Sequence, residues 1–117
     1  MSKSSVVSHH ITARASAGRS ERLGTVLSGF VASASVAPGC LHFALQRSMT
    51  DGDLWVLNGT WVDEQAMNAW YCSPDLTVFS ELVASRLVSS VDFQTFVSVS
   101  VSEAQAAFGA PFEKKAG

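Results

Sequence analysis

Three histidines, His9, His10 and His42, are the side chains of this chain whose ordinary pKa lies nearest neutral pH, which suits them to proton transfer. His9 has the same parity along its strand as Val7 and Ile11, so we expect its side chain to lie on the sheet face that packs against the helices. His10 and His42 have the opposite parity on their own predicted strands, so we expect them on the other face. His9 is therefore our candidate catalytic residue, acting as a general base. The alternative is a buried histidine hydrogen-bonded to a neighbouring carbonyl.

A second group combines amide, indole and phenol side chains. Such groups can hydrogen-bond the carbonyl or hydroxyl of an aromatic ligand while their rings stack on its body. The candidate substrate-binding residues are Asn58, Trp61, Asn68, Trp70 and Tyr71. Asn58 and Trp61 have opposite parity on their predicted strand, so at most one of them faces a given pocket unless the strand bulges. The alternative is that the aromatic rings belong to the core.

The elements that position these residues follow from the spacing of apolar residues and from turn signals. In order, the predicted elements are a strand over 6–15, a helix from Gly18 that ends before Pro38, strands over 40–48 and 54–61, helical pieces over 63–72 and 73–86, a strand over 87–101, and a short helical turn over 102–108. The order β-α-β-β-α-β predicts the α+β class. It is the ferredoxin-like unit, a four-stranded antiparallel sheet with helices on one face.

The chain has 117 residues, enough for a single domain over 1–117 with a core over 6–96. No predicted helix is left to cover the second face of the sheet. Charged residues make up only 15% of the chain, against about 25% in an average soluble protein. We therefore expect a homodimer in which two sheets pack back to back, with residues 97–117 forming a strand extension and tail at the dimer contact.

Charge and motif content exclude several partners. The net charge is −2 and the eight Lys and Arg residues are scattered, so we expect no nucleic acid as a partner. No apolar run approaches the ~18 residues of a membrane span, so we expect no membrane association. The sequence contains no phosphate-binding glycine loop and no cluster of metal ligands, so we expect neither cofactor nor metal. The two distant cysteines, Cys40 and Cys72, favour reduced thiols and a cytoplasmic location.

Several local sequences occur in a characteristic order: Pro38-Gly39-Cys40-Leu41, then Trp61 at the end of the third strand, then Asp63-Glu64-Gln65-Ala66-Met67, then Ser73-Pro74. In this order and spacing the chain resembles the antibiotic biosynthesis monooxygenase family, from about residue 6 to residue 96. The resemblance implies a dimeric α+β barrel with a pocket between the sheet and the helices of each subunit. It also implies, for several members, oxidation of phenolic or quinol-like substrates by molecular oxygen without metal or flavin.

The chain departs from the family pattern at positions that matter for chemistry. Many members carry a glutamate at the position of Gly59, and histidines at the positions of Trp70 and Asp75. The residues that haem-degrading relatives use do not match either. We expect a cofactor-independent monooxygenase-like enzyme acting on a phenolic, hydroquinone or polyketide-type molecule. Two alternatives stay open, a non-catalytic dimeric protein that binds a small molecule and a cofactor-free isomerase of a small carbonyl compound.

Overall fold

A computed structural model describes residues 5–99 of the chain. Four strands and three α-helices occur in this part. The strands are β1 (Val7–Ala15), β2 (Cys40–Arg47), β3 (Leu54–Trp61) and β4 (Val88–Val97), and the helices are α1 (Ser20–Ala34), α2 (Glu64–Tyr71) and α3 (Thr77–Ala84). A 3-10 turn over Pro74–Leu76 joins α2 to α3. The predicted break between the two helical pieces is thus confirmed.

The four strands form one antiparallel sheet in the order β2-β3-β1-β4. The predicted α+β class and ferredoxin-like arrangement are confirmed. β1 lies between β3 and β4 and alternates strictly between buried and more exposed residues. The helices cover one face, where Ile11 of β1, Leu23 and Leu27 of α1, and Leu57 and Trp61 of β3 have no exposed surface. The core therefore lies between the sheet and its helices.

Two local contacts set the position of α2. The Asp63 carboxylate accepts a hydrogen bond from the backbone N–H of Ala66 at 2.9 Å and caps the start of the helix. Gly39, which leads into β2, has φ of +82°, and a Cβ on it would lie 2.5 Å from Cβ of Ala66. Only glycine tolerates both the backbone angle and this close approach. The start of α2 is therefore held against the start of β2.

β4 ends earlier than the sequence alternation predicts. Val97 is opposite Val7, the first residue of β1, and the last bond runs from the Ser98 N–H to the Val6 carbonyl at 3.0 Å. Beyond this point β1 offers no further partner, so Val99 lies outside the sheet. The alternation itself is confirmed from Val91 onward, where β4 residues opposite the buried positions of β1 point to the helices. The expected turn over 102–108 and the tail lie outside the described residues.

Candidate functional site

His9 occupies the centre of the helix-facing side of the sheet. It lies on β1 between Gly59 of β3 and Thr95 of β4, which are its neighbours in register. Its side chain is fully buried, as its alternation with Val7 and Ile11 predicts. A histidine in this position is removed from bulk water but remains within reach of groups on α2.

Gly59 makes room for the imidazole. A Cβ at position 59 would lie 2.3 Å from Nε2 of His9 and 2.7 Å from Cε2 of Phe43 on β2. No side chain fits there unless the rings move, because real Cβ atoms do not approach so closely. The His9 and Phe43 rings meet edge to face with centroids 5.4 Å apart. Many members of the family that this chain resembles carry a glutamate at the position of Gly59. Here the glycine leaves room for a histidine from the neighbouring strand.

Tyr71, at the end of α2, supplies the polar partner of His9. Its hydroxyl oxygen lies 3.0 Å from Nδ1 of His9. Burial lowers the pKa of His9 to about 4, helped by the nearby charge of His10, and burial also raises the pKa of Tyr71. At neutral pH both side chains are therefore uncharged. Tyr71 is only half-buried, so it is the more accessible member of the pair.

Two tryptophans complete what we call the His9 cluster, namely His9, Trp61, Trp70 and Tyr71. The ring centroids of Trp61 and Trp70 lie 6.1 and 5.0 Å from that of His9, and 5.3 Å from each other. Trp61 and Trp70 are both buried. Three nitrogens in this cluster, Nε2 of His9 and Nε1 of each tryptophan, have no hydrogen-bond partner among the described residues. Native interiors rarely contain such an accumulation of unpaired polar groups.

A groove of about 530 Å³ lies between the start of α2, the start of β1 and the end of β4, and none of the four cluster residues lines it. Its lining residues are Ser5, Val7, Asp63, Glu64, Gln65, Met67, Thr95, Phe96 and Val97. His9 is the next helix-facing residue after Val7 on β1. Tyr71 follows Met67 by one helical turn on α2, and Phe93 precedes Thr95 by one alternation on β4. The His9–Tyr71 pair therefore follows the residues that line the groove by one inward-facing position along β1 and by one helical turn along α2.

The predicted site residues do not all meet. Trp61, Trp70 and Tyr71 join His9, whereas Asn58 is opposite His10 in register, on the outer sheet face, and donates from Nδ2 to Oε1 of Gln46 at 2.8 Å. Asn68 is exposed on α2. The structure thus separates both asparagines from the His9 cluster.

Phe43 was not among the predicted site residues, and Gly59 was noted only as a departure from a family pattern. A glycine inside a β-strand can indicate a close approach by another group, and this signal was available.

Ion-binding and membrane features are few. Within residues 5–99, no group of three or more His, Cys, Asp or Glu side chains is arranged to hold a metal ion. No helix in this range has the length and apolar character needed to cross a bilayer. Cys40 and Cys72 are both free.

Comparison with known proteins gives a family match and a consistent fold. The family model for antibiotic biosynthesis monooxygenase matches residues 6–82. No curated protein matches significantly. The fold is similar to that of PA3566 from Pseudomonas aeruginosa, with a TM-score of 0.75, 22% identity, and coverage of 86% of this chain and 100% of that one.

Two further solved structures share the fold. For SO0527 from Shewanella oneidensis the TM-score is 0.75 at 17% identity, covering 82% of this chain and 93% of that one. For a variant of SnoaB, a cofactor-independent oxygenase from Streptomyces nogalater, the TM-score is 0.71 at 16% identity, covering 82% and 95%. At these identities the likeness establishes the fold alone.

Proposed function

The chain belongs to the antibiotic biosynthesis monooxygenase family, and from that premise we propose that it is a cofactor-independent monooxygenase of phenolic, hydroquinone or polyketide-type molecules. The observation that carries the proposal is the contact of 3.0 Å between the Tyr71 hydroxyl and Nδ1 of His9, with Tyr71 one helical turn along α2 from Met67, which lines a groove. The description of the similar SnoaB as a cofactor-independent oxygenase supports the same reaction class.

The proposed reaction needs no electrons from the protein. In a substrate with a ring methylene, such as an anthrone, the methylene becomes a carbonyl: one atom of O₂ joins the carbon and the other leaves as water with the two hydrogens. In a phenol or a hydroquinone, one atom of O₂ joins a ring carbon that carried hydrogen, the ring is oxidised to a quinone or a hydroxyquinone, and the other oxygen atom leaves as water with the two hydrogens released. In each case the substrate supplies all four electrons that reduce O₂. The protein has to bind the aromatic body, remove a proton to form an electron-rich anion, and keep bulk water away.

Tyr71 and His9 divide the proton transfer between them. The substrate reaches Tyr71 from the groove, because His9 itself has no exposed surface. Tyr71 takes the substrate proton while passing its own proton to Nδ1 of His9. Burial disfavours the charged imidazole, but the substrate anion formed beside it compensates for the lost hydration.

Oxygen consumption tests this proposal. Wild-type protein is incubated with a panel of hydroquinones and anthrones while dissolved oxygen is followed against a protein-free blank. We expect Tyr71→Phe and His9→Gln each to lower the rate about 100-fold, within the usual range for a lost general base. His10→Gln, on the outer face of the same strand, is the matched control and retains the rate. Wild-type uptake equal to the blank, or unchanged uptake in both site variants, contradicts the proposal.

A second candidate function is a non-catalytic protein that binds a small molecule. It is favoured by the packing of Trp61 and Trp70 directly against His9, which fills the space a reacting substrate would need beside the imidazole. On this hypothesis a hydroquinone or quinone quenches tryptophan fluorescence saturably while oxygen uptake stays at the blank. Saturable quenching together with uptake identifies the enzyme instead.

We further propose that the protein is a cytoplasmic homodimer. The two free thiols suit a reducing compartment. Within residues 5–99 of a single copy, no layer covers the sheet face opposite the helices, and this face is the proposed interface. Light scattering coupled to size-exclusion chromatography tests the assembly, and a single protomer at micromolar concentration contradicts it.

A further inference from the structure

Tyr71 is the only tyrosine of the chain, and its hydroxyl lies against a buried base. The hydroxyl oxygen is 3.0 Å from Nδ1 of His9 and has no other hydrogen-bond partner among the described residues. With the imidazole proton on Nε2, Nδ1 accepts the phenolic O–H. His9 has no exposed surface, so bulk water does not compete for this position. A phenol bonded in this way can pass its proton to the imidazole as it loses an electron, because neither ring has to move.

The three tryptophans of the chain offer no comparable arrangement. An oxidised indole becomes neutral only when a base takes its N–H proton. Nε1 of Trp61 and Nε1 of Trp70 have no hydrogen-bond partner within residues 5–99. Nε1 of Trp55 donates to the hydroxyl of Ser20, which is a very weak base, and the Arg47 guanidinium 4.9 Å from the ring centre disfavours positive charge there. Among these four rings, the tyrosine alone has a strong proton acceptor in contact.

The rings of the His9 cluster are close enough to exchange electrons with Tyr71. The ring centroid of Trp70 lies 5.3 Å from that of Tyr71, and Trp61 lies 5.3 Å from Trp70. An electron lost from either buried indole can therefore be replaced from Tyr71, where proton transfer to His9 fixes the oxidised state. Tyr71 is half-buried, so an oxidant in solution also reaches it directly.

We propose that Tyr71 is a redox-active tyrosine that reduces organic peroxyl radicals, the radicals formed when organic molecules autoxidise in air. Tyr71 gives one electron to the peroxyl radical and its phenolic proton to Nδ1 of His9. The peroxyl radical takes one proton from solvent and becomes a hydroperoxide. The protein is left with a neutral tyrosyl radical and an imidazolium. A hydroquinone reverses the change by giving one electron to the tyrosyl radical, while the proton returns from Nδ1 and the hydroquinone becomes a semiquinone and releases a proton to solvent.

His9 is a sufficient base for this step. Burial lowers its pKa to about 4. A phenol that has lost an electron is a far stronger acid than an imidazolium with that pKa, because the positive charge on the ring weakens the O–H bond. The step uses the same pair as the proposed oxygenase reaction but goes beyond it, since it needs neither the oxygenase substrate nor the reduction of O₂.

Flash photolysis of the full chain tests the coupled transfer. Photogenerated ruthenium(III) tris(bipyridine) serves as the oxidant, under argon and without any added phenol, and the tyrosyl radical is followed by its absorption. Every tyrosyl signal belongs to Tyr71, because the chain has no second tyrosine. We expect a rate of formation that does not depend on the concentration of buffer base, since Nδ1 of His9 accepts the proton. A rate that rises in proportion to buffer base, or oxidation that stays on tryptophan, overturns the inference.

A pair of histidine variants separates the role of the base from that of the oxidant. We expect His9→Gln to form the tyrosyl radical at least about tenfold more slowly and in a buffer-dependent manner. His10→Gln, on the outer face of the same strand, is the matched control and keeps the wild-type rate. An unchanged rate in His9→Gln overturns the inference. Circular dichroism checks the fold of both variants, and the buffer dependence of the wild type decides the question if His9→Gln does not fold.

Peroxyl radicals from a water-soluble azo initiator in air test the class of oxidant. The protein is exposed to them with the spin trap DMPO, digested and analysed by mass spectrometry. We expect the adduct mainly on Tyr71, with a lower yield in His9→Gln, and fragment spectra distinguish it from an adduct on the neighbouring Cys72. Adducts mainly on Cys72 or on the tryptophans overturn the inference. Oxygen uptake with hydroquinones is measured separately, so failure of the proposed oxygenase reaction does not affect this result.

Discussion

Two tryptophan sites on the same side of β3 are built in opposite ways. At the first, which we call the Trp55 cluster, Nε1 of Trp55 donates to Oγ of Ser20 at 2.9 Å, and the Arg47 guanidinium lies 4.9 Å from the ring centre. Arg47 also donates to the Gly52 carbonyl at 2.8 Å and to Ser20 at 3.1 Å. In the His9 cluster, by contrast, the nitrogens Nε1 of Trp61, Nε1 of Trp70 and Nε2 of His9 have no partner among the described residues.

The difference separates a structural site from a candidate ligand site. Leaving a buried N–H without an acceptor costs about 1–3 kcal/mol, and apolar rings of similar size would avoid that cost. The Trp55 cluster behaves as a core position should, since its polar atoms are paired. The His9 cluster retains three unpaired nitrogens in a small space, and an acceptor on a bound molecule would satisfy them. Variants that disturb the two clusters differently test this comparison.

The largest effect is expected from Gly59→Ala in the His9 cluster. The new methyl group collides with the His9 and Phe43 rings, both held in a packed layer, so we expect a loss of about 3 kcal/mol in the free energy of unfolding. Gly29→Ala is the control, because a Cβ there meets nothing within 4 Å on helix α1, and it should stabilise by about 0.5–1 kcal/mol. Urea unfolding measures both. Equal stability of Gly59→Ala and wild type contradicts the close packing.

The next effect is the pH dependence that His9 confers. Its pKa is 6.5 in the unfolded chain and about 4 in the folded one, so the unfolded chain binds more protons between these values. The contribution of His9 to the free energy of unfolding is therefore complete above pH 6.5. It decreases as the pH drops towards 4, by up to about 3 kcal/mol. Urea unfolding from pH 7.5 to 4 measures the slope. His9→Gln should flatten it and His10→Gln should not. An identical slope in His9→Gln is the contradicting outcome.

Much of the fold could be predicted from local signals, because each element is encoded within a short stretch. The alternation along β1 predicted its buried face and the orientation of His9. The break at Pro38 correctly separated α1 from β2, and the break at Ser73 correctly separated α2 from α3. Within one copy β4 pairs only as far as Val97, opposite the first residue of β1; the predicted extension of this strand to residue 101, reaching towards a second subunit, stays a prediction. Strand ends are thus set by the partner strand.

The candidate site could be predicted only in part. Trp61, Trp70 and Tyr71 lie against His9, whereas Asn58 and Asn68 lie away from it, and the substrate-binding role of all five stays a prediction. The inward face of an eight-residue helix such as α2 is poorly determined by its own apolar residues, which explains Asn68. The fit of His9 into the space at Gly59 depends on cross-strand register, and the pKa of His9 depends on burial depth. Neither quantity is encoded locally.

In the Trp55 cluster, Ser20→Ala should cost about 2 kcal/mol. Its hydroxyl bonds to three groups, the Trp55 indole, the Arg47 guanidinium and the Gly52 carbonyl, so removing it leaves a partly buried indole N–H unpaired. Thermal and urea unfolding measure the change. Ser28→Ala, which removes a single bond to the Gly24 carbonyl within α1, is the control and should change stability by less than about 0.5 kcal/mol. Equal losses in the two variants contradict the central role of Ser20.

The smallest effect is expected from Glu21→Gln, at the rim of the Trp55 cluster. The Glu21 carboxylate lies 3.1 Å from Nη1 of Arg47, but its side chain is 88% exposed, and exposed ion pairs of this kind contribute little. We expect a loss below about 0.5 kcal/mol that disappears in high salt, because the other contacts of Arg47 hold the guanidinium over Trp55 without Glu21. Urea unfolding at low and high salt measures it. If Glu21→Gln lowers the free energy of unfolding as much as Ser20→Ala does, the charge of Glu21 stabilises the Trp55 cluster, rather than the hydroxyl of Ser20.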